Sequence, residues 1–153
     1  MKEVQNMAAE IINVSTEEEL RAALTIRKEV FVEEQKVPED LEIDEYDNLE
    51  AEAQHILIKY DGEFAAAGRV IRYNKDAAKM QRIAVRQKFR TQGLGRVLVL
   101  AMENAARELK LESSVLDAQC QAEGFYAKLG YTTTSTEPFD DAGIPHVRMV
   151  KEL

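Results

Sequence analysis

Cysteine, proline and tryptophan are nearly absent from this chain: one Cys, three Pro and no Trp. A single cysteine, Cys120, can neither close an internal disulfide nor build a cysteine-rich metal site, so stability must come from a packed core and no metal is expected. Cys120 is read as a small buried residue rather than a nucleophile. Long apolar runs are also missing. The best of them, such as Val97 to Met102, falls far short of the roughly 18 residues a spanning helix needs. The N-terminus lacks the basic-then-apolar order of a secretory signal, so a cytoplasmic protein with no membrane partner is expected. Positive charge is scarce, 20 Lys and Arg against 28 Asp and Glu for a net charge of −8. Such a surface repels a polyphosphate, which argues against nucleic acid as a partner and favours an amine-bearing substrate.

What is present suits one domain: 153 residues, 45% of them hydrophobic, with no repeat or linker. Residues 1–10 read as a loose leader and 11–153 as the domain. Ile11, Ile12 and Val14 suit a first strand. Ser15 or Thr16 then caps a helix whose first turn carries Glu17 to Glu19 and whose apolar stripe, Leu20, Leu24, Val30 and Phe31, runs to about Glu34 before Pro38. Glu39 to Glu52 holds eight carboxylates and no Lys or Arg, the pattern of a solvated loop. Two strands, His55 to Ile58 and Phe64 to Ile71, flank the turn dipeptide Asp61-Gly62. Lys79 to Arg86 reads as a third strand of the meander through Met80, Ile83 and Val85. Leu94, Val97, Leu98, Ala101, Met102, Ala105 and Leu109 recur at helical spacing to near Lys110. A strand from Ser114, a short helix Ala122 to Leu129, and strands at Tyr131 to Thr134 and Val147 to Val150 complete an α+β fold with a mixed central sheet.

The most informative stretch runs from Arg82 to Gly95, out of a strand, through a basic turn and into the long helix. Gly93 and Gly95 leave no side chain at the helix entrance, where N–H groups without helical partners and the helix dipole favour a bound anion. Two glycines alone equally serve a tight turn. Arg86, Lys88, Arg90 and Arg96 add a local concentration of positive charge in an acidic chain, which a diphosphate needs and solubility does not explain. The glycine spacing matches neither a Walker loop nor a dinucleotide fingerprint.

Arg90, Gly93 and Gly95 resemble the coenzyme A signature of the GNAT superfamily of N-acetyltransferases: Gln or Arg, two residues, Gly, one residue, Gly or Ala. Gly124 to Tyr131, an aromatic pair on a short helix followed by Leu-Gly-Tyr, resembles that superfamily's other core motif. Arg27 to Gln35, Asp44, Asp47 and Gly143 to His146 are similar to the ElaA-like, YjcF-like branch of small bacterial members.

The resemblance implies a mostly antiparallel sheet flanked by helices, two of its central strands splaying around acetyl-coenzyme A. Ile83, Ala84 and Val85 would offer main-chain groups to the pantetheine and the thioester oxygen, with Ser114 to Gln119 as the other lip. Arg90, Thr91, Gln92, Gly93, Leu94, Gly95 and Arg96 would hold the diphosphate. Tyr126 takes the family's position for the acid that protonates the departing thiolate and would also touch the cofactor. The acceptor is a primary amine of a small molecule. Glu29, Glu33, Asp44, His55 and His146 are the candidate bases, His146 lying in a late loop; Phe31, Glu33, Asp44 and His55 are the candidate acceptor contacts. Exposed sheet edges favour a homodimer. A sensor that binds acetyl-coenzyme A without efficient turnover is the rival reading.

Overall fold

Thr16 starts the first helix with a reciprocal cap. Its Oγ1 accepts from the Glu19 N–H at 3.2 Å, and the Glu19 carboxylate accepts from the Ser15 and Thr16 N–H groups at 2.9 and 3.3 Å. In the computed structural model, which describes residues 9–153, this helix, α1, spans Glu17–Arg27 and follows strand β1, Ala9–Asn13. The expected leader lies outside the described residues up to residue 8, while Ala9 and Glu10 already pair with Tyr60 and Lys59 of the next strand. The helix does not continue regularly to Glu34. From Lys28 to Glu34 the backbone widens into a π-helical segment, a geometry that is uncommon and concentrates near functional sites.

After Pro38 come a short helix α2, Glu39–Glu42, and an irregular segment, and then the meander β2 Ala53–Tyr60, β3 Glu63–Arg72 and β4 Ala77–Val85. Asp61 and Gly62 both adopt positive φ, 49° and 83°, which a two-residue hairpin turn requires at both central positions. The remaining elements are α3 Leu94–Glu108, β5 Ser113–Gln119, α4 Glu123–Lys128, β6 Thr132–Thr133, β7 Phe139–Asp141 and β8 Ile144–Glu152. The sheet runs β1-β2-β3-β4-β5-β8-β6, with β7 also on β8. Every pairing is antiparallel except β4 with β5.

Alternation along the strands divides the core into two layers. Leu57, Ala67 and Ala84 face α1 with Leu20, Ala23 and Ile26. Ile56, Ile58, Ala66 and Met80 face α3 with Leu98, Val99 and Met102. The helix sits so close that a Cβ on Gly68 would lie 2.6 Å from the Met102 sulfur.

Two irregularities of β4 create the site. Ala67 pairs with Ala84 but Arg69 pairs with Gln81, so Arg82 and Ile83 stand opposite Gly68 alone in a β-bulge, with Arg82 at φ 57°. In addition, β4 meets β5 over only four residue pairs, Ala77↔Ser113 to Met80↔Leu116. Past that point the two strands separate.

Candidate active site

The separation opens a cavity of about 410 Å³. Gln81, Arg82 and Ile83 line it from β4, and Asp117, Ala118 and Gln119 from β5. Beyond Met80 the β4 backbone is paired on its β3 side only, leaving its other edge open along the cleft. The π-helical segment and the turn after it contribute Phe31, Gln35 and Val37, α4 contributes Tyr126, and the β7–β8 hairpin contributes Asp141, Ile144 and His146.

Tyr126 is buried, its ring edge-on to Phe125 at 5.0 Å and to Tyr131 at 5.9 Å. Its hydroxyl has no hydrogen-bond partner among the described residues. Burial pushes its pKa up to about 12. Tyr131 is itself fixed by Ser114 at 2.7 Å and by the buried Glu103 at 2.9 Å, which leaves Tyr126 little freedom to turn.

His146 belongs to strand β8, where it pairs with Gln119 and with Phe139, rather than to the late loop expected from Pro145. Pairing with Asp140 of β7 holds Pro145 inside the strand. The His146 ring stacks on Phe139 at 6.2 Å, and its Nδ1 lies 2.7 Å from the Ile144 carbonyl oxygen. A carbonyl only accepts, so in the neutral ring Nδ1 keeps the hydrogen and Nε2 carries the lone pair. Nε2 has no partner among the described residues.

At the other end of the cleft, a 3₁₀ turn at Gln87–Phe89 leads to Thr91 at φ 74° and Gly93 at φ 77°, and α3 begins without a side-chain cap. Nothing lies within 4 Å of a Cβ built on Gly93, so the entrance is open there, whereas a Cβ on Gly95 would meet the Phe125 ring at 3.2 Å. The basic side chains are less free than the sequence implies. Arg86 is paired with Glu29 at 3.1 Å, Lys88 with Glu63 at 3.0 Å and Arg90 with Glu34 at 2.9 Å. Arg90 also donates through Nε to the Val85 carbonyl at 2.9 Å, which withdraws that oxygen from the set expected to face the pantetheine. Among the described residues Arg96 alone of the four has no ion pair. Open backbone along β4, an uncapped helix entrance that is open at Gly93 and this cationic turn all fit coenzyme A.

The acidic stretch is a correction to the sequence reading. It is solvated only in part: Glu39, Asp40, Glu45, Glu50 and Glu52 are exposed, but the other three carboxylates face three arginines that arrive from α1, β3 and β4. Arg27 holds Glu42 at 2.6 Å and Asp47 at 2.7 Å, and Arg69 holds Asp44 at 2.7 Å and Asp47 at 3.0 Å. Arg82 reaches Glu42 at 3.1 Å and Asp44 at 3.3 Å. Burial works to raise the pKa of Asp47, yet hydrogen bonds from Arg27 and the Asp44 N–H, with both arginine charges, hold it well below the carboxylate range. Burial outweighs the arginines for Glu42 and pushes it up.

Other candidates go elsewhere for the same reason. Asp44 is spent on arginines. His55 is buried beside this cluster, donating through Nε2 to the Tyr46 carbonyl at 3.0 Å, with burial lowering its pKa. Glu29 serves Arg86 outside the cavity, and Glu33 is exposed and outside it too. Of the suggested acceptor contacts only Phe31 lines the cavity, and Cys120 is half-buried rather than buried. The sequence reading did not single out Gln35, Gln119 or Arg82. The two glutamines share a 2.8 Å hydrogen bond across the cleft and have no signature. Arg82 had one, the three-residue step from Met80 to Ile83 where a regular strand steps by two.

Residues 10–153 match the acetyltransferase (GNAT) domain family, and the chain belongs to it. Members transfer acyl groups from acyl-coenzyme A, so the chain is an acyltransferase. Two relatives from Bacillus subtilis are each 43% identical: YyaT over 143 residues, covering 94% of this chain and 95% of YyaT, and YjcF, described as an uncharacterized N-acetyltransferase, over 136 residues, covering 89% and 94%. ElaA of Escherichia coli is 30% identical over 139 residues, 88% of either chain. Its crystal structure superposes with a TM-score of 0.79 at 27% identity, covering 94% of this chain and 97% of that one. These relatives place the chain in the ElaA-like, YjcF-like branch. Among the described residues no helix is long and apolar enough to cross a membrane.

Proposed function

We propose that the protein moves an acetyl group from acetyl-coenzyme A to a primary amine of a small molecule, the two meeting in the cleft between β4 and β5. The observation that carries this reading is the cavity at the strand split, which Tyr126 and His146 line together. Acetyl-coenzyme A supplies an acyl group already activated as a thioester.

The chain's own groups divide the remaining work. N–H groups from Thr91 to Arg96, with the α3 dipole, receive the diphosphate, and the side chains of Arg96 and Arg90 add charge. Main-chain groups of Ile83 and Ala84 orient the pantetheine end. The Tyr126 phenol, at about 12, stays protonated through the working range. It lies roughly three units above a thiol, so it acts as a hydrogen-bond donor to the departing sulfur more than as a full proton donor. The Nε2 lone pair of His146 accepts the proton that the amine sheds.

Tyr126→Phe keeps the ring packing and removes the donor. The expected result is a fall in kcat of roughly 10² or more with coenzyme A affinity unchanged, measured by free-thiol release across an amine panel and by calorimetric titration. Full kcat in that variant would remove Tyr126 from the chemistry. Cofactor binding with no thiol release from any amine would turn the reading toward a sensor.

A further inference from the structure

Three arginines clasp the 39–52 segment, and they are not equivalent. Arg27 uses Nε, Nη1 and Nη2, and so does Arg69, each with a side chain only 1% exposed. Those two are structural. Arg82 donates through Nε to the Glu42 carbonyl at 3.1 Å and through Nη2 to the Leu41 carbonyl and Asp44 at 3.2 and 3.3 Å. Its Nη1 has no partner among the described residues. Its side chain is 25% exposed and lines the cavity. The residue sits at positive φ on the bulge, a conformation that is strained for a non-glycine residue and persists where surrounding structure enforces it.

From this geometry we infer that the acceptor carries a carboxylate as well as its amine, and that the Nη1 edge of Arg82 binds that carboxylate. The inference rests on the acetyltransferase reading and adds the substrate class to it. With Nε and Nη2 engaged, Nη1 is left as a fixed cationic donor, which suits a charge-assisted hydrogen bond to one oxygen of a carboxylate. A rim of carboxylates that would attract a purely cationic acceptor is not available: Glu42 and Asp44 are held by arginines, and Asp117 by Arg148 at 2.8 Å and Lys79 at 3.3 Å. Asp141, at the exposed end of β7, is the lining carboxylate left without an ion pair among the described residues. It would be the anchor for a second ammonium. The polar wall opposite Arg82, Gln35 bonded to Gln119, is uncharged and tolerates either end of such an acceptor.

The test uses matched pairs that differ only in the carboxylate. Protein saturated with coenzyme A is titrated calorimetrically with N-acetyl amino acids and with the corresponding N-acetyl amino acid amides. Acetyl transfer is measured in parallel on free amino acids, their amides and the decarboxylated amines. Carboxylate members are expected to bind, and to be acetylated with kcat/KM, at least about tenfold better. Arg82→Gln is expected to erase that preference, Arg82→Lys to recover part of it, and Asp141→Asn to leave it in place. Amides binding as well as acids, no binding by either member of any pair, or a preference that survives Arg82→Gln in a folded variant overturns the inference. Acids that bind through Arg82 while no amine is acetylated uphold the carboxylate site and overturn the acetyltransferase mechanism, so the two failures are separable.

Discussion

Two regions of this molecule use the same ion pairs to opposite ends. Around the 39–52 segment, Arg27 pairs with Glu42 and Asp47, whose side chains are 2% and 0% exposed. At the turn before α3, Arg90 and Glu34 are 40% and 29% exposed, and Lys88 and Glu63 60% and 49%. Removing one partner from the buried set leaves a charge that water cannot reach, so that set must stay assembled. The exposed pairs lose little when broken, because water and salt replace each partner. A cation in such a pair can leave its glutamate for an incoming phosphate at small cost, whereas the buried arginines cannot be recruited. Exposure decides which charges are scaffold and which are available to a ligand.

The hardest way to break the contrast is Arg27→Met, which takes one positive charge out of the buried cluster and leaves Glu42 to Arg82 and Asp47 to Arg69. A loss of about 3–5 kcal/mol is expected, seen as a fall on the order of 10 °C in thermal midpoint for a chain of this size. A loss below about 1 kcal/mol would mean that water reaches the cluster.

Acid offers a subtler probe. Burial lowers the His55 pKa, so the native ring stays neutral where the unfolded one, near 6.5, binds a proton. The unfolded state then holds more protons, and stability falls as pH drops below about 6.5 toward the native value. Glu42, raised by burial, acts in the other direction: its contribution is present below the unfolded carboxyl value and is lost as pH rises through the native one. His55→Gln isolates the histidine. The difference in melting temperature between that variant and the parent should change between pH 7 and 5, and a constant difference would contradict the shift.

The smallest effect belongs to the exposed turn. Glu34→Gln should change stability by less than about 1 kcal/mol and should tighten coenzyme A binding a few-fold, because Arg90 no longer has to leave a carboxylate. Weaker cofactor binding in this variant would make the Arg90–Glu34 pair a brace that shapes the turn.

Features encoded by neighbours in the chain were readable, and those made by distant partners were not. Thr16 with Glu19, Asp61 with Gly62, and the apolar stripe of α3 each act within a few residues, and each marked its element. Strand β7, Phe139–Asp141, has no alternation of its own and exists by pairing with β8. The stripe of α1 runs on through Val30 and Phe31, so nothing local marks the change to π-helical geometry at Lys28. Glu42, Asp44 and Asp47 look like solvated surface in the sequence because their arginines lie elsewhere in the chain, Arg69 being 25 residues from Asp44. At the site, the glycine turn stood out by spacing and Tyr126 by family resemblance, while His146 was one of five candidate bases offered by residue type alone. His55, Asp44 and Glu29 stood out equally and serve other partners, since residue type alone does not say what a side chain will meet.

The bulge at Arg82 behaves like a frameshift. Before it, Ala78 and Met80 point toward α3; after it, Ile83 and Val85 do, while Ala84 faces α1. One extra residue has exchanged odd for even. A strand carrying such a device can lose the extra residue and keep its pairing on both sides. Deleting either Arg82 or Ile83 would let the remaining residue stand alone opposite Gly68 and leave Ala84 on Ala67 and Val85 on Ala66, each on its present face, so the deletion would erase the bulge and the setting of Arg82 while the strand beyond kept its packing.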